Sequence, residues 1–229
     1  MKRFCILRRW VDPGSDSKLT CSDTSRGLVD MLPEETAARY DRIAQWWQIQ
    51  HQNSQYGIAQ LRHAVKFSDK KDFALDVGCG SSGRFISILS ECGFRAEGLD
   101  VSEKMIDLAK QLHPNITFYQ ANICDWNPPK FYNLIVAWDS TFHLPLEMQE
   151  PVMKKLCDAL EPEGVLLFTC GGGNRSGTIS GTFQGQDFEY STLGTNAFLE
   201  ILNKHECNCL HLEYDQYPEN HVYIIAQKV

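Results

Sequence analysis

The chain has 229 residues, of which 43% are hydrophobic and 22% charged, a composition for one globular domain with a sizeable core. A formal charge of -7 offers no broad basic surface for nucleic acid or anionic lipid, and no apolar run approaches the ~20 residues that span a bilayer, so a small-molecule partner is expected, with no nucleic acid and no membrane. Nine cysteines, an odd number with several in apolar strand or helix patterns, read as free thiols in a reducing cytoplasm.

Residues 1–30 show no sustained period and include Asp12-Pro13-Gly14-Ser15 and a Ser/Thr/Asp-rich stretch, which reads as a tail or poorly packed extension. The alternative, raised by Lys2, Arg3, Arg8 and Arg9, is an organelle presequence. From Pro33 the pattern turns helical, with Glu34 and Glu35 in the first turn and Tyr40, Ile43, Ala44 and Trp47 on one face. A second helix runs from near Tyr56 to Val65.

The next stretch, FALDVGCGSSGRF at residues 73–85, organises the rest. Phe73, Leu75 and Val77 form a buried strand; Gly78 and Gly80 let the backbone turn tightly and approach a ligand; Phe85, Ile88, Leu89 and Cys92 recur at helical spacing. Strand, glycine loop and helix N-terminus make a cofactor-binding corner. Gly78, Gly80 and Gly83 also satisfy the dinucleotide fingerprint, with an acid, Asp100, at the expected distance of about 20 residues. Against NAD stands Asp76, a fixed carboxylate that would lie close to a pyrophosphate. A cation would welcome it, and the methionine part of S-adenosyl-L-methionine carries an ammonium and a sulfonium.

LDVGCGSSGRF followed by GLDVSEKMI resembles the opening of the class I S-adenosylmethionine-dependent methyltransferases, and the resemblance covers roughly residues 33–229. It implies a Rossmann-like, doubly wound, mostly parallel seven-stranded sheet that ends in an antiparallel hairpin. The cofactor it implies is S-adenosyl-L-methionine, with S-adenosyl-L-homocysteine (SAH) as product. The acid-x-Gly-x-Gly loop maps onto Asp76, Gly78, Cys79 and Gly80. Ser82 stands where the third glycine usually lies; if that position needs a positive φ, Ser82→Gly should relieve strain. The N-terminal helix pair would cover the cofactor and shape the acceptor pocket, with Tyr40, Trp46, Trp47 and Tyr56 as candidates.

Arg95 to Val101 reads as a second strand ending at Asp100, whose carboxylate can accept from ribose hydroxyls, and Ser102 caps a helix carrying Met105, Ile106, Ala109 and Leu112. In the resemblance Val101 and Met105 form the adenine wall. After a third strand, ITFYQANI, Asn122-Ile123 matches the family's acid-aliphatic pair, and the Asn122 amide oxygen could still accept from the adenine amino group. A fourth strand, Leu134 to Ala137, empties into Trp138-Asp139-Ser140-Thr141-Phe142-His143 beyond the carboxyl edge of the sheet, where ligands bind. Trp138 is taken as a cofactor contact, Asp139 and His143 as the candidate bases.

A helix over 148–160, a turn at Glu161 to Gly164 and a strand at Val165 to Thr169 follow. Residues 171–194, with three glycines and short alternating pieces, read as a hairpin lid carrying specificity, with Tyr190 as a substrate candidate. Thr195 to His205 reads as the last helix, and two strands joined by Pro218-Glu219-Asn220 as an antiparallel hairpin. His205, Cys207, Cys209 and His211 alternate in a zinc-like way, but on one strand they spread along about 13 Å and cannot share one ion. The expected function is methyl transfer to an oxygen, nitrogen or carbon nucleophile of a small molecule. An NAD-dependent oxidoreductase and a non-catalytic cofactor-binding regulator are the alternatives.

Overall fold

Along β1 (Phe73–Val77) and β4 (Tyr132–Ala137), successive side chains point to opposite faces, so each buried strand supplies two layers at once. Leu75, Val77, Ile135 and Ala137 pack with Val152, Met153 and Leu156 of α5 (Leu146–Asp158) and with Phe198, Ile201 and Leu202 of α6 (Thr195–Lys204). Ala74, Leu134 and Val136 pack on the other face with Leu61 and Ala64 of α2 (Ile58–Val65), Phe85, Ile86 and Leu89 of α3 (Arg84–Glu91) and Ile106 and Ala109 of α4 (Glu103–Leu112). The result is three layers, helices on both faces of one sheet.

The computed structural model describes residues 31–229, and the expectations for residues 1–30 fall outside them. The remaining elements are α1 (Pro33–His51), β2 (Arg95–Asp100), β3 (Thr117–Gln120), β5 (Leu160–Gly171), β6 (Gly177–Phe183), β7 (Gln186–Thr192), β8 (Cys207–Glu213) and β9 (His221–Lys228). Strand order is β3-β2-β1-β4-β5-β9-β8. Only β9 runs against its neighbours β5 and β8, which is the doubly wound, mostly parallel seven-stranded sheet with a terminal antiparallel hairpin that the sequence implies. The order in which strands are added reverses between β1 and β4, which run parallel, so the crevice at their carboxyl ends is a switch point where ligands collect. Among the described residues no helix is long and apolar enough to cross a membrane.

Two expectations shift. The turn at Glu161 to Gly164 is part of β5: pairing with β4 is interrupted between Tyr132 and Leu134, and Glu163 takes φ 64°, so the extra residues bulge within one long strand. The left-handed backbone after the glycine loop falls on Gly83 (φ 52°), while Ser82 has no positive φ. Ser82→Gly therefore has no strain of that kind to relieve; α3 starts one residue later than the family's third glycine suggests, and a Cβ on Gly83 would stand 2.8 Å from the His113 ring. Ser102 caps α4 as expected, its Oγ accepting from Met105 N at 3.1 Å.

The expected lid is a separate two-stranded antiparallel sheet, β6 with β7, turning at Gln184-Gly185. It packs on α1: Phe188 and Tyr190 bury against Ile43 and Phe142, with Tyr40, Trp47 and Phe183 beside them. The Arg39 guanidinium donates to Asp187 O at 2.7 Å and Arg42 to Gln186 Oε1 at 2.9 Å. Helix and hairpin thus form one cover over the carboxyl edge of the sheet.

Candidate functional site

A cavity opens between that cover and the strand tips. Its floor is the glycine loop, held by Gly78 and Cys79 N–H groups that donate to Leu99 O at 2.7 and 3.0 Å. Gly78 has φ 75°, and a Cβ there would meet Ser140 Cβ at 2.4 Å, so the loop reaches this close to the β4 exit only as glycine. Asp76 is 3% exposed and lines the cavity, and its carboxylate makes no hydrogen bond or ion pair with another described residue. Burial pushes its carboxyl up to about 7, against the pull of Arg84. Asp100 ends β2; its Oδ2 accepts from Gly80 N and its Oδ1 from Ser102 N, both at 2.9 Å, which fixes the carboxylate while leaving each oxygen a lone pair. Burial raises its carboxyl as well, and the Ser102 and Gly80 bonds oppose that.

Val101, Met105, Asn122 and Ile123 form one end of the cavity. The Asn122 amide is already engaged: Nδ2 donates to Glu34 Oε1 at 2.8 Å and Oδ1 accepts from Cys124 N at 2.9 Å. The expected acceptor oxygen therefore keeps one lone pair, because the side chain closes a local turn with the backbone two residues on. At the other end stand Tyr40, Trp47, His51, Tyr56, Arg84, Trp138, Asp139 and His143. Trp138 Nε1 and Ser140 Oγ are buried and without a hydrogen-bond partner, polar atoms that a ligand can satisfy.

Asp139 leaves β4 with φ 50°, a left-handed conformation that Asp tolerates at a cost of about 1–2 kcal/mol. Its backbone N–H donates to Thr169 Oγ1 at 2.8 Å. His143, on the short 3-10 turn Thr141–His143, is fixed in one tautomer: a carbonyl only accepts, so Nδ1–H donates to Glu189 O of β7 at 3.1 Å and Nε2 accepts from the Tyr40 hydroxyl at 2.9 Å. Burial brings its imidazole down to about 4, so the ring is neutral.

The cavity brings together Asp76, Gly78, Cys79, Gly80, Asp100, Val101, Met105, Asn122, Ile123, Trp138, Asp139 and His143, with Tyr40 and Trp47 from α1 and Tyr56 from the turn before α2. Trp46 and Tyr190 lie outside its wall. Helical spacing turns Trp46 away from Trp47 and onto Phe183, and Tyr190 is buried behind His143, ring centroids 5.0 Å apart. Sequence reasoning missed Arg84, His51, Thr169, His221 and Asp215. Arg84 had a signal, since it follows the glycine loop directly; its Nε donates to Tyr56 O at 3.3 Å and no carboxylate of the described residues lies within ion-pair distance. His221 and Asp215 had none, because only the sheet order brings the start of β9 to Asp139.

Residues 74–164 match a family described as a methyltransferase domain. Over that segment the chain resembles a methyltransferase. Carboxy-S-adenosyl-L-methionine synthase of a Nitratiruptor species is 34% identical to this chain over 113 residues, 46% of each chain. Trans-aconitate 2-methyltransferase of Escherichia coli O157:H7 is 33% identical over 97 residues, 42% of this chain and 37% of its own. The alignments thus span less than half the length of these curated relatives. The DhpI-SAH complex superposes with a TM-score of 0.67 over 86% of this chain and 97% of its own; at 19% identity that likeness is one of fold.

Proposed function

We propose that the chain binds S-adenosyl-L-methionine in this cavity and methylates an oxygen, nitrogen or carbon nucleophile of a small, water-borne molecule, releasing SAH in the cytoplasm. The observation that carries the reading is the pair of buried carboxylates at neighbouring strand tips. Asp76, without a partner of its own, suits the cationic methionine end, and Asp100, with lone pairs to spare, suits the ribose hydroxyls. Gly78, Cys79, Gly80 and Trp138 then line the methionine end, and Val101, Met105, Asn122 and Ile123 the adenine. Arg84 is available for an anionic group of the ligand.

The cofactor, when bound, supplies a methyl group already activated on a sulfonium. The chain has left to it orientation, exclusion of water and the fate of one proton. The cover of α1 with β6 and β7 excludes water, and the rings of Tyr40, Trp47 and Tyr56 favour a flat or partly apolar acceptor. Because Tyr40 donates to His143 Nε2, its hydroxyl oxygen is free to accept from the acceptor while its own proton moves to the imidazole. Asp139 serves orientation, and Trp46 and Tyr190 support the wall from behind.

Calorimetric titration with SAH, S-adenosyl-L-methionine and NAD tests the reading. SAH and S-adenosyl-L-methionine should bind and NAD should give no heat, and Asp100→Ala should weaken SAH by about 1–3 kcal/mol through loss of a charged hydrogen-bond partner. A folded Asp100→Ala protein with parental affinity overturns the assignment.

A further inference from the structure

Behind the acceptor end of the cavity stands a second charged group that the proposed chemistry does not use. His221, at the start of β9, is fully buried, 0% exposed. Its Nε2 lies 2.9 Å from Asp139 Oδ1 and its Nδ1 2.6 Å from Asp215 Oδ1. Two carboxylates of this kind accept, so both ring nitrogens carry protons and the ring is a cation between two anions. Burial alone would lower the imidazole, but the hydrogen bonds and charges of Asp139 and Asp215 outweigh it and bring the group up to about 9. Asp139 is held below the ordinary carboxylate range by the same contact, with help from Tyr56 and Arg84 and against its own burial.

The arrangement points the carboxylate. Oδ1 is taken by His221 and by Thr169 Oγ1 at 3.2 Å, the Tyr56 hydroxyl also hydrogen-bonds the carboxylate, and the Asp139 side chain keeps 21% exposure while His221 keeps none, so the exposed part of the carboxylate faces the cavity. The other titratable groups there are Tyr40, Tyr56, Arg84, His51 and His143, and burial makes both imidazoles poorer cations. Arg84 is thus the only lasting cation of the described cavity wall, set against Asp76, Asp100 and Asp139. An anionic acceptor would be repelled by the Asp139 carboxylate; an ammonium would pair with its exposed part beside the rings of Tyr56 and Trp138, whose centroids lie 5.6 Å apart.

We infer that His221 and Asp215 are positioning residues that fix Asp139 as a permanently ionised carboxylate on the acceptor side of the cavity, and that the site consequently selects acceptors bearing an ammonium group. The inference rests on the cofactor reading above. It is tested without knowing the acceptor by sinefungin, a SAH analogue that carries an amine where the transferable methyl would stand. In the parental protein sinefungin should bind at least tenfold more tightly than SAH, with a ratio that stays level from pH 6 to 8. Asp139→Asn should bring that ratio toward one. His221→Gln should keep it at pH 8.5 and lose it at pH 6, since a buried carboxylate without its cation takes up a proton. A merely structural role would move both affinities together and leave the ratio and its pH profile unchanged. Should His221→Gln fail to fold, Asp215→Asn and the nitrogen-15 spectrum of the parental protein decide, and both His221 ring nitrogens must be protonated at pH 7.5. Normal SAH binding with the same ratio in parent and variants, or a neutral His221 ring, overturns the inference alone. Absence of SAH binding by the parental protein overturns the cofactor reading and this inference with it.

Discussion

Gly78 and Gly80 occupy the same loop, and both have positive φ, yet they are not equivalent. A methyl on Gly78 runs into Ser140 at 2.4 Å, whereas on Gly80 its nearest neighbour is the Trp47 ring nitrogen at 3.5 Å. Gly80→Ala should cost only the backbone strain of about 1–2 kcal/mol, while Gly78→Ala must also push β4 away from the loop and abolish SAH binding. Thermal unfolding and SAH titration of the two variants check this ranking. Asp76 gives a pH prediction. Its carboxyl is raised from 3.8 to about 7 by burial, so the ligand-free protein loses stability as pH rises through that window and the carboxylate is forced to ionise. A cationic ligand needs the ionised form. SAH affinity should therefore rise by up to about tenfold per pH unit toward 7 and level off above it, and Asp76→Asn should flatten the profile.

At the scale of elements, one lysine ties two of them together. Lys155 of α5 donates to Ile123 O at 2.7 Å and to Cys124 O and Trp126 O at 2.8 Å, and so pins the segment after β3 whose residues 122 and 123 close the cavity. Lys155→Met should lower stability by about 1–3 kcal/mol and weaken SAH binding with it, read by denaturant unfolding and calorimetry. Nothing in the sequence announces this contact, because a helical lysine reads as a solvated face. The glycine loop, Asp100 and the order of strands and helices were legible because each is local: a period of two, a period of 3.6, a cap, a fixed spacing. The bulge in β5 and the engaged amide of Asn122 were not. Both depend on which partner the tertiary structure offers, as do the burial of Tyr190 and the turn of Trp46 onto Phe183.

Across the whole molecule, the cover is made of two stretches, α1 and the β6–β7 hairpin, that meet through side-chain packing, the Arg39 bond to Asp187 O and the Met31 N–H bond to Glu189 Oε2 at 2.8 Å. Ligand entry has to part them, and hydrogen exchange should slow over residues 33–51 and 177–192 together when SAH is added. Protection confined to the glycine loop would contradict that coupling. The buried His221 has its own signature. Its group is raised from 6.5 to about 9, so its contribution to stability is complete below pH 6.5 and is lost as pH rises through 9. Melting temperature should fall across that range in the parental protein, and His221→Gln should remove this part of the fall.

The position of β9 between β5 and β8 also sets an order of events on the ribosome. Asp139 is synthesised 82 residues before the histidine that neutralises it. Until residue 221 has left the exit tunnel, a nascent chain holds β1 to β5 with a carboxylate facing inward, without its hydrogen-bonded histidine, and an open edge along β5. Such a chain cannot bury that carboxylate in its ionised form. The cavity is therefore expected to close last and all at once, when the strand that completes the sheet also delivers the charge that completes it.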